Sequence, residues 1–296
     1  MDGIINVNKP SGPTSFAIVA QARRLTREKR VGHGGTLDPM AVGVLPLFLG
    51  RATCLVEYLQ EHHKTYRAGI TLGVATDTYD AEGRVVAKAD VSGITPSAVI
   101  AALTSFQGEI NQVPPIFSAI KRDGQRLYEL ARQGISYEAE PRRVIIYRLE
   151  IEYFRSPLLT ISVECGKGTY IRSLANDLGQ ILGVGAHLTS LERTSYGPFN
   201  ISNAVGIEQL KDAATNGTIA GLVQPPDSVL MSWPAVTLTA AQEQSVGFGQ
   251  QLALEAGETQ RLRAYGREGY LFALLKLDQD TGAWQPGKVF GTFTGC

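Results

Sequence analysis

Between Val144 and Cys165 the chain alternates. Tyr147, Leu149, Ile151 and Tyr153 interleave with Arg148, Glu150 and Glu152. Leu159, Ile161, Val163 and Cys165 interleave with Thr160, Ser162 and Glu164. A period of two sends successive side chains to opposite faces of a strand, so the two runs predict a hairpin of half-buried strands. Shorter strand signals lie at Ile4 to Val7, at the apolar run Val44 to Leu49, and at Lys64 to Leu72. Helical spacing marks Phe16, Val19, Ala20, Arg23 and Arg24, with one apolar and one basic face behind a Thr14 or Ser15 cap. Further helices are expected over Ala52 to Leu59, from Thr95-Pro96 to about Phe106, and over Tyr170 to Leu182, while Thr76 to Gly83 (TDTYDAEG) reads as a loop. Strands and helices interleave without a βαβ regularity. The expected class is α+β, with a mixed, largely antiparallel central sheet and flanking helices and loops.

Pro225-Pro226 to Trp233-Pro234 marks a boundary, so residues 1–228 are expected to form one domain and 229–296 a second. The second carries short strand candidates at Ala235 to Leu238, Leu252 to Leu254, Tyr270 to Leu277 and Lys288 to Thr292, and reads as a small β-rich unit. At about 60 residues it sits near the lower limit for an independent core.

Lys+Arg and Asp+Glu number 28 each, so any nucleic-acid binding must come from local patches. Arg23, Arg24, Arg27, Lys29 and Arg30 form one patch, with Glu28 the only acid among them. Lys121, Arg122, Arg126 and Arg132 form a second, and Arg142 and Arg143 a third. Such runs are often just solvated faces, but the first leads directly into a glycine-rich loop, which favours phosphate contact. Three scattered cysteines and four histidines without ligand spacing argue against a disulfide framework or a metal site. Hydrophobic residues at 44% and charged residues at 19% give an ordinary globular balance, without an apolar run long enough to span a membrane. A cytoplasmic protein is expected.

That loop, Gly32 to Leu45 (GHGGTLDPMAVGVL), holds one carboxylate, Asp38, in a segment almost free of charge. Gly32, Gly34 and Gly35 would let the backbone take positive φ and approach a ligand. An Asp-Pro turn is the plain reading of Asp38-Pro39. His33 beside three glycines favours a functional one.

This window resembles the pseudouridine synthases, specifically the TruB family. Five more segments carry the likeness in the family's order: NVNKPSGPTS (Asn6 to Ser15), KTYRAGITLGVATDTYDAEG (Lys64 to Gly83), QVPPIFSAIK (Gln112 to Lys121), GKGTYIRSLANDLG (Gly166 to Gly179) and GAHLTSLERTSYGPF (Gly185 to Phe199). The resemblance implies the pseudouridine synthase fold followed by a PUA-like RNA-binding domain. It also implies isomerisation of uridine 55 in the T loop of tRNA. The C1′–N1 bond breaks, the freed uracil turns, and it rejoins through C5, without metal, redox cofactor or nucleotide. In residues 229–296 only five Lys/Arg stand against six Asp/Glu, so a unit that merely packs on the large domain is the alternative.

The same resemblance implies the site. Asp38 is the catalytic carboxylate, either attacking C1′ or taking a proton from C2′. Arg172 partners it, since a cation within ~4–6 Å favours the charged form. Tyr66 stacks on the uracil and serves proton transfer, although read blind it is a core strand residue. Tyr170 lines the pocket, Ile171 and Leu191 complete an apolar wall, and Gly34 lets the substrate approach. His33, five residues before Asp38, is expected as the wedge that fills the space left by a flipped base. Lys9, between Asn8 and Pro10, could meet a phosphate or brace the catalytic loop, and bracing is favoured.

The expected partner is the T-arm stem-loop of tRNA, bound by a monomer with no protein partner implied. Rival readings are an RNA-binding protein without catalysis and a glycosidase. The latter needs a second acid, and Asp77 or Asp80 would serve only if their loop folds over the site. Ser118 to Gln133, basic and turn-rich, is expected to order on RNA.

Overall fold

The computed structural model describes residues 1–115 and 140–291, with the backbone also at 121–122 and 125–126. Ser118 to Gln133 therefore lies outside the fully described residues.

A ten-stranded sheet dominates. Its path runs from Val205–Gly206 through Gly3–Lys9, Val42–Leu49, Ala186–Tyr196, Lys64–Leu72, Leu158–Cys165 and Arg142–Arg155 to Gly108–Gln112. Short strands Val31–His33 and Phe199–Asn200 pair alongside. Most neighbours are antiparallel. The parallel pairs are Gly3–Lys9 with Val205–Gly206, and Val42–Leu49 with Ala186–Tyr196. This is the mixed α+β sheet that the pattern predicts, and the Arg142–Arg155 and Leu158–Cys165 strands form the expected hairpin.

Two details of the hydrophobic pattern are corrected. The hairpin's pairing shifts register between Ile146 and Arg148 and again between Ile151 and Tyr153. Each shift reverses the faces, so Tyr147 and Tyr153 point to solvent while Val144, Ile146 and Leu149 are buried. In the first helix, Ser15–Thr26, Thr14 caps through its hydroxyl to the Ala17 amide at 3.1 Å. Its buried stripe is Ile18, Val19 and Ala22, and Phe16 is 69% exposed.

The C-terminal segment forms a separate four-stranded sheet from Ala235–Thr237, Arg261–Tyr265, Leu271–Leu277 and Trp284–Val289. It shares a core with the large sheet, where Leu271, Leu274 and Phe290 pack with Ile4, Val44, Phe48, Leu59, Tyr196 and Phe199. Arg51 ties both ends of this seam, to the Asp2 carboxylate at 2.8 Å and to the Phe290 carbonyl. Arg261 pairs with Glu61 at 2.9 Å and Lys288 with Glu57 at 2.6 Å across the same seam. Among the described residues no helix is long and apolar enough to cross a membrane.

Candidate active site

Asp38 sits on a loop that is held at nearly every residue from below. Lys9, at the end of the first strand, is fully buried, and its ammonium donates to the carbonyls of Pro10 (3.0 Å), Pro39 (3.0 Å) and Ala41 (2.6 Å). Three N–H donors thus meet three carbonyls, and none remains for a phosphate. These are the bonds of a brace on the loop, the role that the sequence favours for Lys9. Burial pulls its pKa down to about 8, with the Asp38 charge opposing and Arg193 adding to the fall. Ser15, opening the first helix, donates to the Leu37 carbonyl at 3.1 Å and accepts from the Leu37 amide at 2.9 Å. The Gly12 amide donates to the Pro39 carbonyl at 2.9 Å, and the Ala41 amide to the Asp38 carbonyl at 3.1 Å. The turn reading of Asp38-Pro39 is true of the backbone, which leaves the carboxylate itself uncommitted to it.

That carboxylate meets Arg172. Nε of Arg172 lies 3.0 Å from Asp38 Oδ2, with the guanidinium side chain 8% exposed and the Asp38 side chain 38% exposed. Arg172 stands in the first turn of the Ile171–Ile181 helix, where the buried side of the helix faces the sheet. Its Nη1 reaches a second acid, Asp80 Oδ2, at 3.3 Å. Asp80 was absent from the expected catalytic set, and the Thr76–Gly83 loop does fold over the site. It does not supply a second glycosidase carboxylate, however. Asp80 Oδ1 accepts from the Thr78 hydroxyl at 2.6 Å and from the Glu82 amide at 3.1 Å, while Oδ2 faces Arg172. Both oxygens are spoken for, and the side chain is only 6% exposed.

Tyr66 and Leu191 occupy neighbouring strands of the same sheet, where Tyr66 pairs with Arg193 and Ala68 with Leu191. Both are 8% exposed, and with Leu37 and Ile171 they belong to the same apolar core. Burial raises the Tyr66 hydroxyl's pKa, and Arg193 works against it; the Asp38 charge is also felt there. Arg193 is itself buried, donating from Nε to the Val44 carbonyl at 2.7 Å and from Nη2 to the Gly35 carbonyl at 3.1 Å. Tyr170, half-buried, is the residue preceding the Ile171–Ile181 helix.

The glycines act differently from the expectation. Gly32, Gly34 and Gly35 are not among the positive-φ residues. Gly34 is needed for space, because a Cβ there would lie 2.4 Å from Leu59 Cδ2 and 3.3 Å from Phe48 Cε2. The position a side chain would take is filled by the core. The Gly34 carbonyl accepts from the Tyr196 hydroxyl at 3.1 Å. His33 ends the Val31–His33 strand half-buried, and its buried Nδ1 has no hydrogen-bond partner among the described residues. Burial lowers its pKa, and Arg193 lowers it further, so the ring favours the neutral form.

The exposed residues beside the loop are basic. Arg23, Arg24, Arg27, Lys29 and Arg30 are all exposed, and Glu28 is turned onto the N-terminal ammonium at 2.8 Å. In the C-terminal unit, by contrast, Arg261, Arg263, Arg267 and Lys288 are ion-paired, leaving Lys276 without a pair among the described residues.

Comparison with known proteins identifies the family. Residues 23–171 match the model of the TruB family pseudouridylate synthase N-terminal domain, and residues 172–231 that of the tRNA pseudouridylate synthase B C-terminal domain. The chain is 46% identical over 291 residues to the tRNA pseudouridine synthase B of Dehalococcoides mccartyi strain CBDB1, covering 98% of this chain and 97% of that one. It is 51% identical over 242 residues to the protein of the same name from Symbiobacterium thermophilum, covering 81% and 79%. Among solved structures, a chain of a Cbf5-Nop10-Gar1 complex superposes with a TM-score of 0.75 at 29% identity, covering 98% of this chain and 85% of that one. With its sheet, its loop aspartate and these matches over nearly its whole length, the chain belongs to the TruB family of pseudouridine synthases.

Proposed function

We propose that this isomerase converts uridine 55 in the T loop of tRNA to pseudouridine, using Asp38 to open the C1′–N1 bond. The observation that carries the reading is the half-exposed Asp38 carboxylate, 3.0 Å from a buried guanidinium, on a loop whose backbone is pinned from below. A fixed anion with one open side suits either attack on C1′ or removal of the C2′ proton. After the uracil turns, C5 bonds to C1′ and must lose its proton, while N1, left anionic by the cleavage, must gain one. Tyr66 is the group for that transfer. Burial holds its own proton firmly, so it takes the one from C5 only as its own leaves towards N1.

Ile171 and Leu191 form the apolar wall, with Tyr170 at the helix start beside it. His33, lacking a partner at Nδ1, is free to leave its place and fill the gap of a flipped base. The exposed Arg23–Arg30 run follows the phosphate backbone of the T arm. Residues 1–228 are the catalytic domain. Residues 229–296 form a PUA-like unit that mainly buttresses it, because most of its cations are already paired. The protein acts as a monomer in the cytoplasm.

The test is pseudouridine formation in an unmodified tRNA transcript, mapped by position, with wild type and Asp38→Asn and with binding measured in parallel. Product at position 55 from wild type, and none from a variant that still binds, supports the reading. Binding by both proteins without product from either overturns it in favour of an RNA-binding protein.

A further inference from the structure

Gln112 is a buried amide, 1% exposed, at the end of the Gly108–Gln112 strand on the edge of the large sheet. Its side chain reaches another segment's backbone in two places. Nε2 donates to the Tyr170 carbonyl at 3.0 Å, and Oε1 accepts from the Tyr170 amide at 2.7 Å. A side-chain amide thereby takes the place of a strand neighbour and satisfies both backbone groups of one residue. The residue it holds is the N-cap of the active-site helix, in an extended conformation at φ −104° and ψ 111°. Tyr170 has no side-chain cap bond of its own there. The next residue along, Val113, accepts from the Ser173 hydroxyl at 2.7 Å. The helix start is therefore gripped on both sides of Ile171 and Arg172.

We propose that Gln112 is a positioning residue for pseudouridine formation: its amide fixes the Tyr170 backbone and thereby sets where Arg172 meets Asp38. The geometry requires both halves of the amide. With only an acceptor at position 112, the Tyr170 carbonyl keeps its helical bond from the Leu174 amide at 3.1 Å but loses the one that ties it to the sheet edge, and a carboxylate there faces it with like polarity. Arg172 is two residues further on, and its Nε–Asp38 distance of 3.0 Å leaves little slack. A helix start displaced by about 1 Å costs roughly 100-fold in rate where alignment matters.

The inference rests on the proposed tRNA reaction, and its test separates the two. Wild type, Gln112→Met and Gln112→Glu are compared on the same tRNA transcript for kcat and KM, with thermal unfolding and RNA binding recorded for each. Met keeps the length and removes both bonds. Glu keeps the acceptor and, when protonated, regains a donor. The expected result for Met is a loss of about 10- to 100-fold in kcat with KM and RNA binding close to wild type. For Glu, kcat relative to wild type should rise several-fold as the pH falls from about 8 to about 6, since burial raises a carboxyl pKa into that range. A merely structural role would not produce that pH-dependent recovery. Folded variants with wild-type kcat, or a Glu variant whose relative kcat is flat with pH, overturn the positioning role. An inactive wild type would instead overturn the tRNA reading.

Discussion

Two loops bring a carboxylate to the same guanidinium, and they treat it in opposite ways. The Gly32–Leu45 loop presents Asp38 with its side chain 38% exposed, whereas the Thr76–Gly83 loop presents Asp80 at 6%. The first loop fixes its backbone and leaves the carboxylate open. Lys9, Ser15 and Gly12 hold Leu37, Pro39 and Ala41, and among the described residues Asp38 is ion-paired with Arg172 alone. The second loop fixes the carboxylate itself, through Thr78, Glu82 and Arg172. A saturated, buried carboxylate is poorly placed to enter a reaction, but it can aim the cation that assists one. The contrast suits the proposed division of labour, with Asp38 as the reacting acid and Asp80 as the acid that aims Arg172.

The largest effect expected is at the open carboxylate. Asp38→Asn keeps shape and loses the charge, so product formation should fall by about 10³- to 10⁴-fold while RNA binding persists. Asp80→Asn breaks the comparison from the other side. The amide still accepts from Thr78 and Glu82 but no longer attracts Arg172 as a charge, so kcat should drop about 100-fold with KM little changed. Single-turnover kinetics on the same transcript measures both. Equal losses in the two variants would mean that the carboxylates share one role.

Much of the comparison's first half was legible in the sequence. Asp38, Tyr66 and Arg172 stood in motifs with a known order, and the alternation in 144–165 gave the hairpin. What escaped depended on separations that local patterns do not carry. Asp80 meets Arg172 across 92 positions of sequence, and Gln112 meets Tyr170 across 58. The TDTYDAEG stretch read correctly as a loop, but a loop's path over the sheet is set by contacts such as the Asp80–Leu188 bridge. Register was equally hidden, because the shifts at Ile146/Arg148 and Ile151/Tyr153 change which residues face the core and leave both Tyr147 and Tyr153 in solvent. The positive φ expected at Gly34 is absent. The residue's want of a side chain serves Leu59, a neighbour that only the fold supplies.

The bracing side of the comparison is tested at Lys9. Lys9→Met keeps the stem and removes the donor to the Pro10, Pro39 and Ala41 carbonyls, of which Pro39 keeps its bond from the Gly12 amide, so the protein should lose about 2–4 kcal/mol in urea unfolding. The loop carrying Asp38 loosens with it, and kcat should fall by less than in Asp80→Asn.

The smallest effect is in pH, and its sign follows from the same lysine. Burial takes Lys9 from its ordinary 10.5 to about 8, and does the same to Lys64. Between those values the unfolded chain holds more protons than the native one, so stability rises with pH. The buried Cys165 thiol moves the other way, from 9.0 to about 11. There the native state keeps a proton that the unfolded chain gives up, so the thiol's contribution falls as the pH climbs from 9 to 11. Two lysines outweigh one thiol, so above pH 9 the rise becomes shallower without reversing. Urea midpoints at about pH 7.5, 8.5 and 9.5 should rise throughout, with Lys9 contributing about 1 kcal/mol to the rise. In Lys9→Met, which lacks the titrating ammonium, the rise should shrink to the part that Lys64 supplies. An unchanged rise in that variant would remove Lys9 from the balance and leave its three carbonyl bonds as its whole contribution.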